Sequence, residues 1–237
     1  MDNINLSDHI SQRFNKELED VRNHVLAMGG LVESQLSNAI IALVKGDSKL
    51  GDITARNDYQ VNAHEVSIDE ECSRILARRQ PTATDLRLVV AVIKTITDLE
   101  RVGDEAKKIA KMASSLADKD RPKDGYREVQ HLGSQVQRML HDSLDCFARM
   151  DSEAAVRVVQ ADLEIDNEYE SVIRQLVTVM MEDPRSIGRV LDVIWAVRAL
   201  ERIGDHATNM AEYVIYFVEG KDVRHISPDD LEEKLNF

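Results

Sequence analysis

The sequence predicts an all-α protein, two tandem pseudo-symmetric three-helix bundles, from three observations. Turn punctuation is sparse, with 10 Gly and 4 Pro in 237 residues, which favours long uninterrupted elements. Apolar residues recur at helical spacing, as in the stripe Phe14, Leu18, Val21, Val25, Met28, Val32, Leu36, Ile40 and Leu43. The order of elements in the first half also returns in the second.

The first helix follows that stripe and ends at Gly46-Asp47-Ser48. Asp47 is the N-cap of a second helix that the pattern carries without interruption to about Arg78. Pro81 to Asp85 is read as a turn, and a third helix as running from about Leu86 to Leu116. The polar stretch Ala117 to Gly125 reads as the boundary between repeats. Helices over about 126–149, 152–182 and 187–219 follow, with Pro184 in the matching turn. Segment 221–237 is read as a polar, loosely held C-terminal tail. The expected division is a first repeat over 6–118, a second over 124–220, and that tail.

The duplication holds residue by residue. At an offset of 104, Gly29 meets Gly133, Leu36 meets Leu140, Asp47-Ser48 meets Asp151-Ser152, and Asp58 meets Asp162. At an offset of 101, Leu99-Glu100-Arg101-Val102-Gly103-Asp104 meets Leu200-Glu201-Arg202-Ile203-Gly204-Asp205. A three-helix unit with one apolar stripe per helix buries those stripes against one another.

Composition narrows the function. Thirty basic against 43 acidic side chains give a net charge of -13, and aromatics are only 4%, so nucleic acid is a poor ligand. Cys72 and Cys146 lie far apart without C-x-x-C spacing, which suits a reducing, cytoplasmic setting and argues against zinc or a disulfide framework. The first residues lack the apolar core of a signal peptide, and no window approaches 18 consecutive apolar residues.

Acidic residues carry the chemistry. Glu100 and Asp104 stand one helical turn apart beside the stripe, and Asp58, Asn62, Glu65 and Asp69 form a second row on the preceding helix. In the second copy the positions are Glu201, Asp205, Asp162 and Asp166, with Tyr169 and Ile173 in place of Glu65 and Asp69. Carboxylates stacked near an apolar face repel unless a cation joins them. Oxygen donors without Cys or His suit hard cations such as Mg, Mn, Ca or ferric Fe. Salt bridging is the bland alternative, which Lys107 and Lys108 favour in the first copy; in the second those positions are Thr208 and Asn209, and the acids are expected to lack a neighbouring cation on their own helix face. Gly103 and Gly204 sit mid-helix at a cost of about 1 kcal/mol each relative to Ala, so close helix approach or tight packing is expected there. Arg101 and Arg202 are expected to point away, toward solvent or a partner.

The doubled Leu-Glu-Arg-Ile/Val-Gly-Asp segment resembles the PhoU family of phosphate-specific transport system accessory proteins. So do Ile68-Asp-Glu-Glu-Cys-Ser-Arg-Ile-Leu-Ala-Arg-Arg-Gln-Pro-Thr-Ala-Thr-Asp-Leu-Arg87 and Met180-Met-Glu-Asp-Pro-Arg185. The likeness covers residues 6 to 220. It implies a cytoplasmic, non-enzymatic negative regulator of phosphate uptake and phosphate-regulon signalling, acting by contact with a sensor histidine kinase and with the ATPase of the phosphate ABC transporter. It also implies metal binding through paired E/D-x-x-x-D motifs, here Glu100 with Asp104, Glu201 with Asp205, and Asp162 with Asp166. Asp58 is paired with Asn62, which departs from the pattern in offering a carbonyl oxygen without charge; Glu65 with Asp69 is the substitute pair, and metal loading of the first bundle is the weaker expectation.

Two rival readings stand beside this one. One is a metal-free helical adaptor. The other is a di-metal carboxylate oxidase, which needs Glu-x-x-His motifs on two helices; the sequence has only Glu128-Val-Gln-His131, and His206 is weighed as exposed. Arg78, Arg79 and Arg87 form a basic stretch, read either as complementing a helix end or as docking an acidic partner. A homodimer is expected from the flat faces of such bundles.

Overall fold

The structure, a computed structural model, describes residues 6–117, 126–227 and 230–235. All regular structure among them is helical: α1 (Leu6–Lys45), α2 (Ser48–Asn57), α3 (Tyr59–Arg79), α4 (Ala83–Leu116), α5 (Arg127–Arg149), α6 (Ser152–Glu182), a 3-10 turn (Pro184–Ser186), α7 (Ile187–Glu219) and α8 (Leu231–Leu235). At 1.5 Å per residue the 40 residues of α1 span roughly 60 Å.

The sequence explains where these helices start and stop. Asp47 Oδ1 accepts from Leu50 N at 2.9 Å, and its repeat partner Asp151 accepts from Ala154 N at the same distance. These side chains satisfy orphan N–H groups at the two matching helix starts. Gly220, at φ +70°, ends α7 by donating its N–H to Tyr216 O.

Three expectations need correction. The second helix of the first repeat is interrupted at Asp58, whose carbonyl accepts from Val61 N at 3.0 Å and from Asn62 N at 3.4 Å. The turn tightens where the Asp58 carboxylate is held inward by two donors described below, whereas α6 runs unbroken through Asp162. The third helix begins at Ala83 rather than Leu86, because extended Thr82 offers its carbonyl to Asp85 N at 3.1 Å and Gln80-Pro81-Thr82 makes the turn, with Gln80 left-handed. The tail is not loose over its described part: Val223, Leu231 and Leu235 are buried in the common core, and Lys221 Nζ donates to Lys234 O at 2.8 Å. The expected repeat boundary at 118–125 lies outside the described residues.

Each half packs three helical runs together: α1, α2/α3 and α4, then α5, α6 and α7. The halves meet along α4 and α7, with α1 against α5 alongside, so one core runs through both. The α1–α5 contact repeats its own pattern. A Cβ at Gly29 would stand 2.6 Å from Leu144, and one at Gly133 would stand 3.0 Å from Ile40, the residue equivalent to Leu144. Small residue against large, given twice, sets this crossing.

Helix α1 has an apolar window within Gln12–Lys45 of a length and mean hydropathy that would suit a membrane. Its stripe residues Val25, Met28, Val32 and Leu36 are nevertheless fully buried in the protein, as in a core helix. On the outside, α7 exposes Ile187, Leu191 and Trp195 at steps of four, the last 63% exposed.

Candidate carboxylate sites in the two repeats

Close helix approach at Gly103 and Gly204 builds the two acidic clusters. A Cβ on Gly103 would lie 3.2 Å from Val61 and 3.4 Å from Asp58 Oδ1; on Gly204 it would lie 3.3 Å from Ile165 and 3.6 Å from Asp162 Oδ1. The mid-helix glycines thus let α4 approach the Asp58 turn, and α7 approach α6, closely enough to bring the carboxylate rows face to face.

In the first repeat Asp58 is buried and both of its oxygens are engaged. Gln35 Nε2 donates to Oδ1 at 2.9 Å and to Gly103 O at 3.1 Å, while Lys107 Nζ donates to Oδ2 at 2.8 Å and reaches Asp104 Oδ1 at 3.4 Å. These hydrogen bonds hold the Lys107 ammonium above its ordinary value, the Asp58 bond first. Burial raises Glu100, and Asp104, Glu65 and Asp58 raise it further. Glu65 is also raised, by burial and then by Asp69, with Arg101 opposing. Asn62 and Asp69 face solvent.

In the second repeat Asp162 is pushed up to about 6, by burial first and then by Asp166 and Asp205. Glu201 is raised by burial and by Asp205, and Asp205 by burial and by Asp166. The four residues named from the sequence therefore share one field. A neighbouring cation is present after all: Arg198 Nη1 donates to Glu201 Oε1 at 2.6 Å and lies over the Tyr169 ring at 5.8 Å. The i,i+3 spacing of Arg198 and Glu201 puts them on one helix face, with the cation on the N-terminal side of the acids, whereas Lys107 and Lys108 lie on the C-terminal side in the first repeat. Glu201 Oε2 is buried without a hydrogen-bond partner.

One further expectation changes. His206 is buried, 6% exposed, because α7 turns it toward α4 rather than outward, where its Nδ1 lies 2.8 Å from Asp98 Oδ1. Asp98 also accepts from Tyr213 OH at 2.8 Å and Asn209 Nδ2 at 3.4 Å. Arg101 and Arg202 are exposed, as expected, and each also pairs within the chain: Arg202 Nε lies 3.2 Å from Glu105 on α4, and Arg101 Nη1 lies 3.7 Å from Asp98. Asp98 had no sequence signal because its repeat partner is Ala199.

Of the three arginines expected to meet partners, two are tied down. Arg79 makes a two-pronged pair with Glu17 of α1 at 2.8 and 2.7 Å. Arg87 donates to Phe217 O at 3.3 Å, capping the C-terminal end of α7. Arg78 is exposed, on a groove of about 260 Å³ that it lines with Glu17, His24 and Arg74. His131 of the Glu-x-x-His segment is exposed on α5.

The donor sets can be weighed against a metal ion. Among the described residues, no three His, Cys, Asp or Glu side chains converge as they stand on a point that would hold one. The second repeat fits a hard cation in donor chemistry, with four carboxylates and a buried oxygen lacking a donor, and its side chains must turn to meet an ion. The first repeat fits poorly, since both Asp58 oxygens are already taken.

The PhoU domain family matches the chain twice, over residues 25–113 and 129–214. The chain is 56% identical to the phosphate-specific transport system accessory protein PhoU homolog of Pseudomonas aeruginosa over 97% of this chain and 95% of that protein. It is 48% identical to the accessory protein PhoU of Escherichia coli (strain K12), over 99% and 97% of the two chains. The crystal structure of PhoU from Pseudomonas aeruginosa superposes with a TM-score of 0.85 at 56% identity, covering 88% of this chain and all of that one. The phosphate transport system regulatory protein PhoU from Streptococcus pneumoniae does so with a TM-score of 0.82 at 28% identity, over 89% and 99%. With both repeats matched and relatives covered nearly end to end, this chain belongs to the PhoU family, whose members are transport accessory and regulatory proteins and not enzymes.

Proposed function

We propose that the protein is a cytoplasmic negative regulator of phosphate uptake and of phosphate-responsive signalling, acting by direct contact with a sensor histidine kinase and with the ATPase of the phosphate importer. The observation that carries this reading is end-to-end kinship with accessory proteins of the phosphate-specific transport system. Two surfaces favour action by contact: the exposed Ile187-Leu191-Trp195 stripe and the groove bordered by Arg74 and Arg78. In the same reading the second-repeat carboxylates Asp162, Asp166, Glu201 and Asp205 take a hard metal ion, with their helices fixing its place between α6 and α7.

Deleting the gene tests the regulatory role. A phosphate-starvation reporter should then stay on in phosphate-rich medium and return to its repressed level on complementation; a reporter unchanged by deletion refutes the role. Arg78→Glu should weaken binding to the purified kinase or ATPase in a pull-down titration without altering the fold. Unchanged affinity for both would remove Arg78 from the docking surface.

A further inference from the structure

The two acidic clusters are equivalent by sequence offset and by geometry, yet they are neutralised differently. Asp58 corresponds to Asp162, Gly103 to Gly204, Gln35 to Met139 and Lys107 to Thr208. Gln35 stands 3.6 Å from the Cβ position of Gly103, and Met139 Sδ stands 3.8 Å from that of Gly204, so the correspondence holds in space. The first repeat thus surrounds its innermost carboxylate with an amide at 2.9 Å and an ammonium at 2.8 Å. The second offers a thioether and a hydroxyl at the same places, and neither carries charge.

We propose that Lys107 is a built-in cation that fills, in the first repeat, the position kept for a metal ion in the second. The chain then has one metal site, at Asp162, Asp166, Glu201 and Asp205, and not two. This rests on the reading that the second-repeat carboxylates bind a hard cation. A flexible stem delivers the Lys107 charge between Asp58 and Asp104, the two acids that bracket the first-repeat cluster. Both Asp58 oxygens are engaged and an ammonium already stands beside them, so an ion would have to displace Lys107, and Asn62 brings no charge to favour that exchange. In the second repeat, Arg198 donates to Glu201 Oε1 at 2.6 Å and its charge also acts on Asp205, but no hydrogen bond among the described residues joins it to Asp162, and Thr208 stands where Lys107 does in the first repeat.

An independent observation marks the second cluster as wanting a ligand. Glu201 is 9% exposed, and its Oε2 has neither a donor nor access to water, while it shares the field of Asp205, Asp166 and Asp162. A buried carboxylate oxygen is normally satisfied. A metal ion would satisfy this oxygen and offset the repulsion among all four acids.

The test is equilibrium dialysis of the full chain, purified without a metal-affinity tag and stripped with chelator, against Mn²⁺, with bound metal read by elemental analysis. Wild type should bind Mn²⁺ at one site. Grafting the first repeat's neutralising pair onto the second, Met139→Gln with Thr208→Lys, should weaken binding at least about tenfold, as changes around a metal site do. The nearly isosteric Asp162→Asn should do the same and guards against misfolding of the graft. Asp58→Asn should leave binding unchanged. The reverse graft, Gln35→Met with Asn62→Asp and Lys107→Thr, should add a second site. Wild type binding at two sites, with one lost in Asp58→Asn, would overturn the built-in cation and leave metal binding standing. No Mn²⁺ on wild type would overturn the metal reading itself and the inference with it.

Discussion

Asp98 on α4 and His206 on α7 lie 2.8 Å apart, both buried, at the seam between the two repeats. The same carboxylate collects Tyr213 and Asn209, so a single acid on α4 organises three polar groups of α7. Removing it strands those groups inside. Asp98→Ala should destabilise the protein by about 3–5 kcal/mol, the usual cost of breaking a buried pair. Urea denaturation checks this, and a loss under 1 kcal/mol would mean that the seam repacks.

Asp162 should make the metal-free protein sensitive to pH. Its folded value of about 6 lies above the ordinary 3.8, so the protonated form is favoured by folding. An acid raised in this way weakens the fold once ionised: the penalty is full above about pH 6 and fades as the pH falls toward 4. Asp162→Asn should therefore stabilise the stripped protein at pH 7.5 by about 1–2 kcal/mol, after allowance for partial solvent screening, and confer nothing near pH 4. Paired denaturation curves at the two values decide it.

Gly51 in α2 is a tighter point than any glycine of the candidate sites. A Cβ there would stand 2.7 Å from the backbone oxygen of Ala110 and 2.8 Å from Ser114 Oγ. Alanine would gain about 1 kcal/mol of helix propensity, yet it must push backbone apart. We expect Gly51→Ala to be net destabilising by about 1–2 kcal/mol, read as a lower midpoint in urea; a rise would show that α2 can slide.

The C-terminal segment contributes to stability. Ending the chain at Gly220 removes Val223, Leu231 and Leu235 from the core, and should cost about 2–4 kcal/mol at the usual worth of buried aliphatic side chains, discounted for reordering the segment. Thermal melts of the two lengths test this. Equal midpoints would return the segment to the status of a loose tail.

The helices and their duplication were legible because each rests on local rules: an apolar stripe, an Asp at the N-cap, a proline in the turn. The clusters Glu100/Asp104 with Asp58 and Glu201/Asp205 with Asp162/Asp166 were legible for the same reason, since helical spacing stacks i and i+4, and the repeated glycines mark the close approach. What escaped depends on partners remote in sequence. Nothing local shows that Gln35 bonds a carboxylate 23 positions away, or that His206 turns inward to meet Asp98 over a separation of 108. The buried tail escaped because Val223 and a single i,i+4 pair, Leu231 with Leu235, are too little periodicity in a polar stretch to mark a core-facing helix, so only the site that receives them reveals their role.

The position of Trp195 has a practical corollary. It is the single tryptophan of the chain and sits on the outer face of α7, 63% exposed. The tryptophan emission of the unmodified protein, excited beyond the absorption of its five tyrosines, thus comes from one indole on one surface. A partner covering the Ile187-Leu191-Trp195 stripe would move that indole from water to an apolar setting and shift its emission toward the blue. A partner bound at the Arg78 groove, on the other repeat, would leave the spectrum where it was, so an optical titration without any label can distinguish the two faces.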